Sequence, residues 1–496
     1  MICIPIISRT EAEIEADMAS AAGLADVVEL RMDCAPTADL RRLLEKRTGP
    51  VIVTNRPARE GGAFTGSEDE RLALLQKAVD LGAQYVDVEW DCVGRIRRGG
   101  RTKIIVSRHD FQRTPDDLVR LHGETVRSGA DIVKIACMAR DLRDNLRIFE
   151  LLRATKHPTI ALCMGELGLI SRVLGRKFGN FLTYASLKAG SESAPGQITA
   201  ADLRDLYRYK KIHAATAIYG VIANPVAHSM SPAIHNAAFE ETGLDAVYVP
   251  LKVESDPVGF VKAFRSLDVQ GYSVTLPHKE AILPAMDEVD DLARKIGALN
   301  TVVNRGGRLI GTNTDVSAAV GALEAALSGD PAGRESGNRS SLIGKRVLLI
   351  GAGGASRAVA FGLVARGAKV TVANRTLDRA ERLSQELGCD SCALSELASC
   401  EADVLINTTS VGMWPNVDET PVPASVLRKN MVVFDAVYNP PETRLIREAK
   451  AAGCRTISGI VWFVNQAAAQ FELWTGKPAP REVMERVIRK KLGAIP

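Results

Sequence analysis

The first 215 residues repeat one pattern, a short apolar β-branched segment followed by a segment with helical spacing. Eight apolar segments occur, near residues 2–7, 26–31, 51–54, 84–89, 102–107, 131–136, 158–163 and 181–186. Helices are expected at 10–22, 37–47, 68–82, 115–129 and 141–156, with only residues 92–98 left for the fourth crossover. Strands joined by right-handed helical crossovers build a parallel sheet, and eight such units can close into a barrel. An open doubly wound sheet is the alternative.

The alternation begins again after the basic segment Tyr207–Lys211. It predicts strands near 218–223, 246–251 and 269–275, and helices at 231–242 and 256–267. Residues 328–342 are polar and rich in Gly, Ser and Arg, which predicts an exposed loop or linker. Lys345–Ile350 then predicts a buried strand, and two helices are expected near 460–475 and 480–492.

The length of 496 residues, at roughly 150 residues per domain, also favours three folding units. We expect an α/β chain with a barrel over residues 1–212, a second α/β domain over 217–327 and a third over 343–459. The helices near 460–492 are expected to pack back on the second domain.

The charge balance limits the partners of the chain. The chain has 63 Lys and Arg residues and 59 Asp and Glu residues, which gives a net charge of +4, and 46% of its residues are hydrophobic. These values exclude a disordered chain and a protein that coats nucleic acid. Small molecules are the expected partners, with no nucleic acid and no membrane.

The nine cysteines suggest a reducing compartment, because they are odd in number and scattered. Cys389 and Cys392 form a CxxC, but no second pair or nearby His completes a zinc ligand set, so we expect no metal. The N-terminal residues lack a charged n-region and are not rich in Arg and Ser. A cytoplasmic protein is therefore expected.

Polar residues at the carboxyl ends of barrel strands converge on one mouth of the barrel. The candidates here are Glu29, Arg31, Arg56, Glu60, His109, Lys134 and Arg172. Taken singly, Glu29 could pair with Arg31, and Lys134 could extend its amine to solvent. However, Lys134 lies between Val133 and Ile135, where burial would lower its pKa and make it a Schiff-base nucleophile.

Residues 1–212 resemble the type I 3-dehydroquinate dehydratases. The resemblance rests on ELRMD (29–33), TNRPAREGG (54–62), SRHDF (107–111), ADIVKIA (130–136), MGELGLISR (164–172) and SAPGQ (193–197). It implies that Lys134 forms an imine with the substrate ketone, that His109 is the general acid and base, and that Glu60 orients and charges His109.

The resemblance also implies how the ring is held. Arg172 would bind the ring carboxylate together with Ser193 and Gln197, and Glu29, Arg31 and Arg56 would hold the ring hydroxyls. A protonated imine withdraws electrons from the adjacent carbon, so an imidazole can remove its proton near neutral pH.

The segment GAGGASRA follows a predicted strand and begins a helix, which is the context of a dinucleotide-binding turn. Its members are Gly351, Gly353, Gly354 and Ala355, with Ser356 at the third glycine position. A plain strand-to-helix turn is the alternative. The next strand ends at Asn374, followed by Arg375, Thr376 and Arg379. Without a carboxylate to repel a 2′-phosphate, and with two guanidiniums to bind it, this segment indicates NADP.

Residues 217–496 resemble shikimate dehydrogenases, with an α/β substrate domain and a Rossmann domain. The motifs are SMSP (229–232), VTLPHK (274–279), GALNTVV (297–303), GTNTDVSA (311–318) and NQAAAQF (465–471). The resemblance implies a catalytic pair, Lys279 and Asp315. It also implies a substrate site of Ser229, Ser231, Thr275, Asn300, Tyr438 and Gln466.

The two resemblances imply consecutive reactions, in which 3-dehydroquinate loses water and the resulting 3-dehydroshikimate is reduced to shikimate with NADPH. One alternative is a quinate/shikimate dehydrogenase with a degenerate barrel, against which Lys134, His109 and Glu60 are all present. A ligand-sensing regulator on the same folds is another, but a regulator needs neither Lys279 nor Asp315.

Overall fold

The computed structural model describes residues 1–328 and 340–493. The chain forms two compact units, residues 1–217 with 245–252, and residues 218–244 with 253 onward. Apart from Ser328 and residues 340–342, the predicted linker lies outside the described residues. No helix in the described part of the chain is long and apolar enough to cross a bilayer.

The barrel in the first unit contains eight strands and six α-helices. The strands β1 to β8 are Ile2–Ile6, Val27–Arg31, Val51–Thr54, Tyr85–Glu89, Lys103–Asp110, Ile132–Met138, Thr159–Met164 and Thr183–Tyr184. The helices α1 to α6 are Glu11–Ala21, Leu40–Glu45, Glu68–Asp80, Leu118–Arg127, Asp144–Ala154 and Leu169–Leu174. The fourth crossover, between β4 and β5, has only a 3₁₀ turn at Val93–Arg95, as its length predicted.

The eight strands form a nearly closed parallel barrel, in the order β7-β6-β5-β4-β3-β2-β1-β8. Strand β8 pairs with β1. On its other side, the backbone amide of Phe181, just before β8, donates to the carbonyl of Thr159 in β7 at 2.8 Å. An open doubly wound sheet would reverse its strand order at a switch point, and this sheet does not. The barrel prediction is therefore confirmed.

Strand alternation places a polar layer above an apolar layer inside the barrel. One buried cluster takes residues from seven consecutive strands, Cys3, Val27, Ile52, Tyr85, Ile105, Ile132 and Ile160. The residue two positions further along each strand points to the same face, because side chains alternate between the two faces of a strand. Those positions include Glu29, Thr54, Asp87, Ser107 and Lys134.

Two six-stranded sheets follow the barrel along the chain. The first has β9 to β14, at Ala217–Ala223, Ala246–Lys252, Gly271–Val274, Glu288–Val289, Thr301–Arg305 and Arg308–Thr312, in the order β10-β9-β11-β13-β14-β12. It is mixed, because β11 pairs parallel with β9 and antiparallel with β13. Its helices α7 to α10 are Ser231–Glu241, Pro257–Phe264, Asp291–Ile296 and Asp315–Ser328.

The second sheet is parallel, with β15 to β20 at Arg346–Ile350, Lys369–Ala373, Asp390–Cys392, Val404–Asn407, Val432–Asp435 and Arg455–Ile457. The order β17-β16-β15-β18-β19-β20 is that of a dinucleotide-binding doubly wound sheet, in which ligands bind where the order reverses. Here the reversal lies between β15 and β18.

Five helices complete the second unit. They are α11 to α15, at Gly354–Ala365, Leu377–Leu387, Arg444–Ala451, Gly459–Thr475 and Arg481–Lys491. Helix α15 packs against α7, and α14 packs against α10. The predicted helix 256–267 ends at Phe264 and continues only as a 3₁₀ turn.

Candidate active sites

A cavity of about 150 Å³ opens at the carboxyl end of the barrel. Its lining includes all nine barrel residues predicted from the sequence, Glu29, Arg31, Arg56, Glu60, His109, Lys134, Arg172, Ser193 and Gln197. The lining also includes apolar residues that the sequence did not indicate, among them Phe111, Leu162 and Met164. The structure therefore brings the predicted set together in one place.

Lys134 is buried, but its surroundings are not apolar. Its Nζ donates to Asp87 Oδ2 at 2.8 Å, lies 3.8 Å from Glu29 Oε1, and stands 4.4 Å from the centre of the Tyr184 ring. Its neighbours in sequence, Val133 and Ile135, do not surround the amine. Neighbours along a strand face opposite sides of the sheet, so Lys134 extends into the barrel and they do not.

Two carboxylates on β4 were not predicted from the sequence. Asp87 and Glu89 both face the barrel interior, and both pair with Arg56, at 2.8 and 2.7 Å. Glu89 also pairs with Arg71 at 2.5 Å. The segment YVDVE carried the signal, because two acids alternate with valines in a strand that is buried throughout.

Arg31 and Glu29 do not pair with each other, so the barrel-end ion pair considered above is wrong. The Arg31 guanidinium makes two hydrogen bonds to Asp33, at 2.9 and 2.7 Å, because Asp33 follows the end of β2 and lies beside it. Glu29 accepts a hydrogen bond from the Thr54 hydroxyl at 2.7 Å.

His109 and Glu60 form a pair at the cavity. Strand β5 continues three residues beyond its predicted end, to Asp110, and so includes His109, and Glu60 lies in the 3₁₀ turn Ala58–Glu60. His109 Nδ1 and Glu60 Oε2 are 2.8 Å apart. Burial, followed by the charges of Arg56 and Lys134, lowers the pKa of His109 well below its usual value. Burial also raises the pKa of Glu60 to about 7. These shifts favour a neutral imidazole, which is the form that can accept a proton, rather than an imidazolium.

Arg172 is a buried cation with no carboxylate partner in the described residues. Its guanidinium makes only long bonds of 3.4 Å to the carbonyls of Tyr184 and Pro195, and its Nε has no partner. Burial lowers the pKa of Arg172 to about 10. A guanidinium buried in this way is suited to an anionic ligand. Beside it, the Gln197 amide donates to the Ser193 hydroxyl at 2.9 Å.

The second unit places Lys279 against Asp315. Lys279 lies in the loop after β11, and Asp315 is the first residue of α10. Both are buried, and Lys279 Nζ donates to Asp315 Oδ2 at 2.5 Å. The backbone amide of Asp315 donates to Asn313 Oδ1, which fixes the turn that presents the carboxylate.

Most of the other predicted substrate residues fall into two groups. In the first, Asn300 Nδ2 donates to Thr314 at 3.0 Å and to Gln466 Oε1 at 3.5 Å. In the second, the Ser231 amide donates to Ser229 Oγ at 3.3 Å, and the backbone of Met230 bonds the Tyr438 hydroxyl. The groups meet at Phe463, whose ring lies 4.6 Å from Tyr438 and whose carbonyl accepts from Gln466. Thr275 follows β11, and its carbonyl accepts from His278.

The glycine turn lies at the reversal point between β15 and β18. Gly351 has φ +119°, and an added Cβ would lie 2.7 Å from Ser356 Oγ and 2.8 Å from Thr408 Oγ1. Ser356 and Thr408 hydroxyls are bonded at 2.7 Å, so the serine ties the helix to β18 where a third glycine was expected. A Cβ on Gly353 would meet nothing within 4 Å, which leaves room for a phosphate at the start of α11.

Three further features fit a phosphorylated dinucleotide. Gly354 and Ala355 begin α11, and a Cβ on Gly354 would lie 3.5 Å from Cβ of Lys279, so the turn adjoins Lys279. Asn374 donates its amide to the Thr376 carbonyl. Arg375 and Arg379 are exposed and make no ion pair within the described residues. Free guanidiniums here fit a 2′-phosphate.

Of the CxxC cysteines, Cys389 lies between α12 and β17. Cys392 ends β17, and its Sγ lies 3.6 Å from that of Cys400. All nine cysteines are free thiols.

Known protein families match both the N-terminal and the C-terminal part of the chain. Family profiles match in four places: Type I 3-dehydroquinase at residues 2–214, Shikimate dehydrogenase substrate binding domain at 221–302, Shikimate / quinate 5-dehydrogenase at 335–439, and Shikimate 5'-dehydrogenase C-terminal domain at 459–489. The chain is 44% identical to the chloroplastic bifunctional 3-dehydroquinate dehydratase/shikimate dehydrogenase of Arabidopsis thaliana, over 99% of this chain and 84% of that protein. The chain belongs to the bifunctional 3-dehydroquinate dehydratase/shikimate dehydrogenase family.

The dehydrogenase half of this bifunctional enzyme also resembles single-function proteins. It is 45% identical to the shikimate dehydrogenase (NADP(+)) of Bacillus cereus strain B4264, over 56% of this chain and 99% of that protein. A crystal structure of a shikimate dehydrogenase in complex with NADP+ covers 57% of this chain and 97% of its own, at 38% identity and a TM-score of 0.52.

Membership in the bifunctional family decides between the functions considered from the sequence. The chain is a 3-dehydroquinate dehydratase and a shikimate dehydrogenase, both halves being matched by a relative that carries both activities in its name. A degenerate barrel and a ligand-sensing regulator are therefore not favoured.

Proposed function

We propose that dehydration begins with attack of Lys134 on the ketone of 3-dehydroquinate, which gives an imine. The observation that carries this proposal is a single cavity containing a buried amine, an imidazole–carboxylate pair and a guanidinium without a carboxylate partner. These groups supply a nucleophile, a base and an anion clamp, and together they suit elimination of water from a hydroxylated carboxylate.

His109 is the proposed general base and acid. Its lowered pKa leaves the imidazole neutral and able to take the proton from the carbon beside the imine. The same proton can then be given to the departing hydroxyl, which leaves as water. Glu60 holds the ring by its bond to Nδ1, so Nε2 is free to face the substrate.

The remaining cavity residues are proposed to position the ring. Arg172 binds the carboxylate, aided by Ser193 and Gln197. Glu29, Arg31 and Arg56 bind the hydroxyls. Each of these last three is already fixed by another protein group, Thr54, Asp33 or the acids of β4, so each presents its remaining atoms in one orientation.

In the second unit, we propose that Lys279 and Asp315 act on the carbonyl oxygen of 3-dehydroshikimate. NADPH, when bound, supplies the hydride. Lys279 stabilises the negative charge that develops on the oxygen and provides the proton, and Asp315 fixes the position of the amine. Ser229 and Ser231 hold the carboxylate, and Thr275, Asn300, Gln466 and Tyr438 lie around the ring.

The proposed NADP contacts follow from the geometry at the sheet reversal. Gly351, Gly353, Gly354 and Ala355 leave space for the pyrophosphate at the start of α11. Asn374, Arg375, Thr376 and Arg379 bind the 2′-phosphate end.

We also propose domain limits of 1–212, 217–327 and 343–459, with the helices near 460–492 belonging to the second domain. The support is the packing of α15 on α7 and of α14 on α10. The nine free thiols support a reducing compartment, and we propose the cytoplasm. The proposed partners are 3-dehydroquinate, 3-dehydroshikimate, shikimate and NADP.

A product assay on the full chain tests these roles together. With 3-dehydroquinate and NADPH the parent should form shikimate. Lys134→Ala should form none from 3-dehydroquinate but should still reduce supplied 3-dehydroshikimate, and Lys279→Ala should stop at 3-dehydroshikimate. Lys103→Ala, at the exposed start of β5, is the matched control and should behave as the parent. Continued dehydration by Lys134→Ala would contradict the proposal.

A further inference from the structure

Asp87 makes three charged or polar contacts from beneath the cavity. Its Oδ2 accepts from Lys134 Nζ at 2.8 Å and lies 2.8 Å from an Arg56 nitrogen, and its Oδ1 accepts from the Ser107 hydroxyl at 2.7 Å. Asp87 is 1% exposed and is absent from the cavity lining. It therefore contacts the reacting nitrogen on the side away from the substrate.

The ionisable groups around Lys134 come from six strands or their ends. They are Cys3, Glu29, Arg56, Asp87, His109 and Tyr184. Only two of these have a carboxyl side chain, Asp87 and Glu29, and Glu29 Oε1 is 3.8 Å from Nζ and already accepts from Thr54. Asp87 is thus the carboxylate at hydrogen-bond distance within the described residues.

The acid remains ionised in this place. Burial alone would raise the pKa of Asp87, but the charges of Arg56 and Lys134 and the hydrogen bond from Ser107 hold that pKa well below its usual range. Asp87 therefore acts as a fixed negative charge and not as a proton carrier.

Imine formation does not change the charge on Lys134 Nζ, the nitrogen that Asp87 contacts. The Lys134 ammonium and the ketone become a protonated imine and water: Nζ forms a bond to the carbonyl carbon, the C–O bond breaks, and two of the three ammonium protons leave with the oxygen. The nitrogen carries one positive charge before and after. Only the protonated imine draws electrons strongly from the neighbouring carbon, whose proton His109 removes.

We propose that Asp87 is the counter-ion of this nitrogen and keeps the imine on Lys134 protonated, an inference that rests on the proposed Schiff-base function. Before the reaction, the ion pair opposes the loss of the ammonium proton that Lys134 must undergo to attack the ketone. Once the imine exists, the same ion pair favours its protonated, electron-withdrawing form. Asp87 thereby determines the charge of the reacting nitrogen through both stages.

The test compares Asp87→Asn with Glu89→Gln in the full chain. Glu89 lies on the same strand and face and also pairs with Arg56, but it makes no contact with Lys134. Acetylation of Lys134 by acetic anhydride, followed across pH by mass spectrometry without substrate, gives the pKa of the amine. Shikimate formation from 3-dehydroshikimate reports on the integrity of the chain.

In Asp87→Asn the labelling midpoint of Lys134 should fall by about one pH unit or more, since an opposite charge at this distance favours the charged form by that amount. Lys134 should therefore react faster with the anhydride at neutral pH. Dehydration should nevertheless slow at least about ten-fold at the upper end of the pH range and recover towards acid, because one pKa unit is a factor of ten in protonation. Glu89→Gln should leave the midpoint near that of the parent.

An unchanged midpoint in Asp87→Asn, or an equal shift in Glu89→Gln, would overturn the inference. Because the labelling needs no substrate, this result is separate from a failure to trap an imine on Lys134, which would overturn the proposed function instead. If Asp87→Asn does not fold, ¹⁵N NMR of the parent with ¹⁵N-lysine and 3-dehydroquinate decides the question. The imine nitrogen should be protonated throughout the pH range of activity, and a neutral imine within that range would overturn the inference.

Discussion

His109 Nδ1 lies 2.8 Å from Glu60 Oε2, although 49 residues separate the two along the chain. Burial moves both groups towards their neutral forms, lowering the pKa of the imidazole and raising that of the carboxyl to about 7. The His109 ring is therefore neutral at the start of the reaction and can accept a proton.

This pairing predicts a specific pH dependence for Glu60→Gln. The parent should show an ionisation near pH 7 in kcat/KM for dehydration, which should be absent from Glu60→Gln, because the titrating carboxyl is gone. The reductase profile of the same chain is the internal control. An unchanged dehydratase profile would show that Glu60 is not the group that titrates.

The same pKa shift predicts an effect on stability. A carboxyl whose pKa is raised in the folded state binds its proton more tightly there, so the folded state loses stability as pH rises from about 4.5 to about 7. Glu60→Gln should therefore raise the melting temperature of the barrel more at pH 8 than at pH 5. An equal change at both pH values would contradict the shift.

Lys279 and Ser229 should differ in the kinetic constant that they affect. Lys279→Ala removes a group whose interaction strengthens as charge moves to the oxygen, so kcat for reduction should fall by about two orders of magnitude or more with little change in KM. Ser229→Ala should mainly raise KM, since a carboxylate that does not react is bound alike in both states. Lys262→Ala, an exposed lysine on α8, is the control. A near-normal kcat in Lys279→Ala would return Lys279 to a structural role.

Arg375→Ser should weaken NADPH much more than NADH. Loss of a charge-assisted hydrogen bond costs about 1.5–3 kcal/mol, or roughly 10- to 150-fold in the dissociation constant. Arg382→Ser changes an exposed arginine further along α12 and should affect neither cofactor. Equal weakening of both cofactors by Arg375→Ser would mean that Arg375 does not bind the 2′-phosphate.

The sequence predicted those parts of the fold that depend on periodicity. Strand β3 begins and ends at its predicted residues, and α14 begins one residue before its predicted start. Only residues 92–98 were available for the fourth crossover, and the structure has a 3₁₀ turn there and no α-helix. These elements could be predicted because β3 is a short apolar segment that is buried throughout, and α14 has buried apolar residues at helical spacing.

The electrostatics of the barrel could not be predicted in the same way. Lys134 has valine and isoleucine as neighbours in sequence, but its neighbours in space come from β2, β4 and β8. Asp87 is 47 residues away from Lys134 in the chain, and only the strand order and register bring the two together. The Cys392–Cys400 contact depends likewise on β17 lying beside the following turn.

Borohydride trapping shows whether dehydration proceeds through an imine on Lys134, because borohydride reduces an imine to a stable adduct on the lysine. The full chain is incubated with 3-dehydroquinate and borohydride, digested, and analysed by mass spectrometry. We predict loss of dehydratase activity with a reduced adduct on Lys134, no adduct in Lys134→Ala, and retained shikimate dehydrogenase activity in both. An inactivated enzyme with unmodified Lys134, or an adduct on another lysine, would contradict the account.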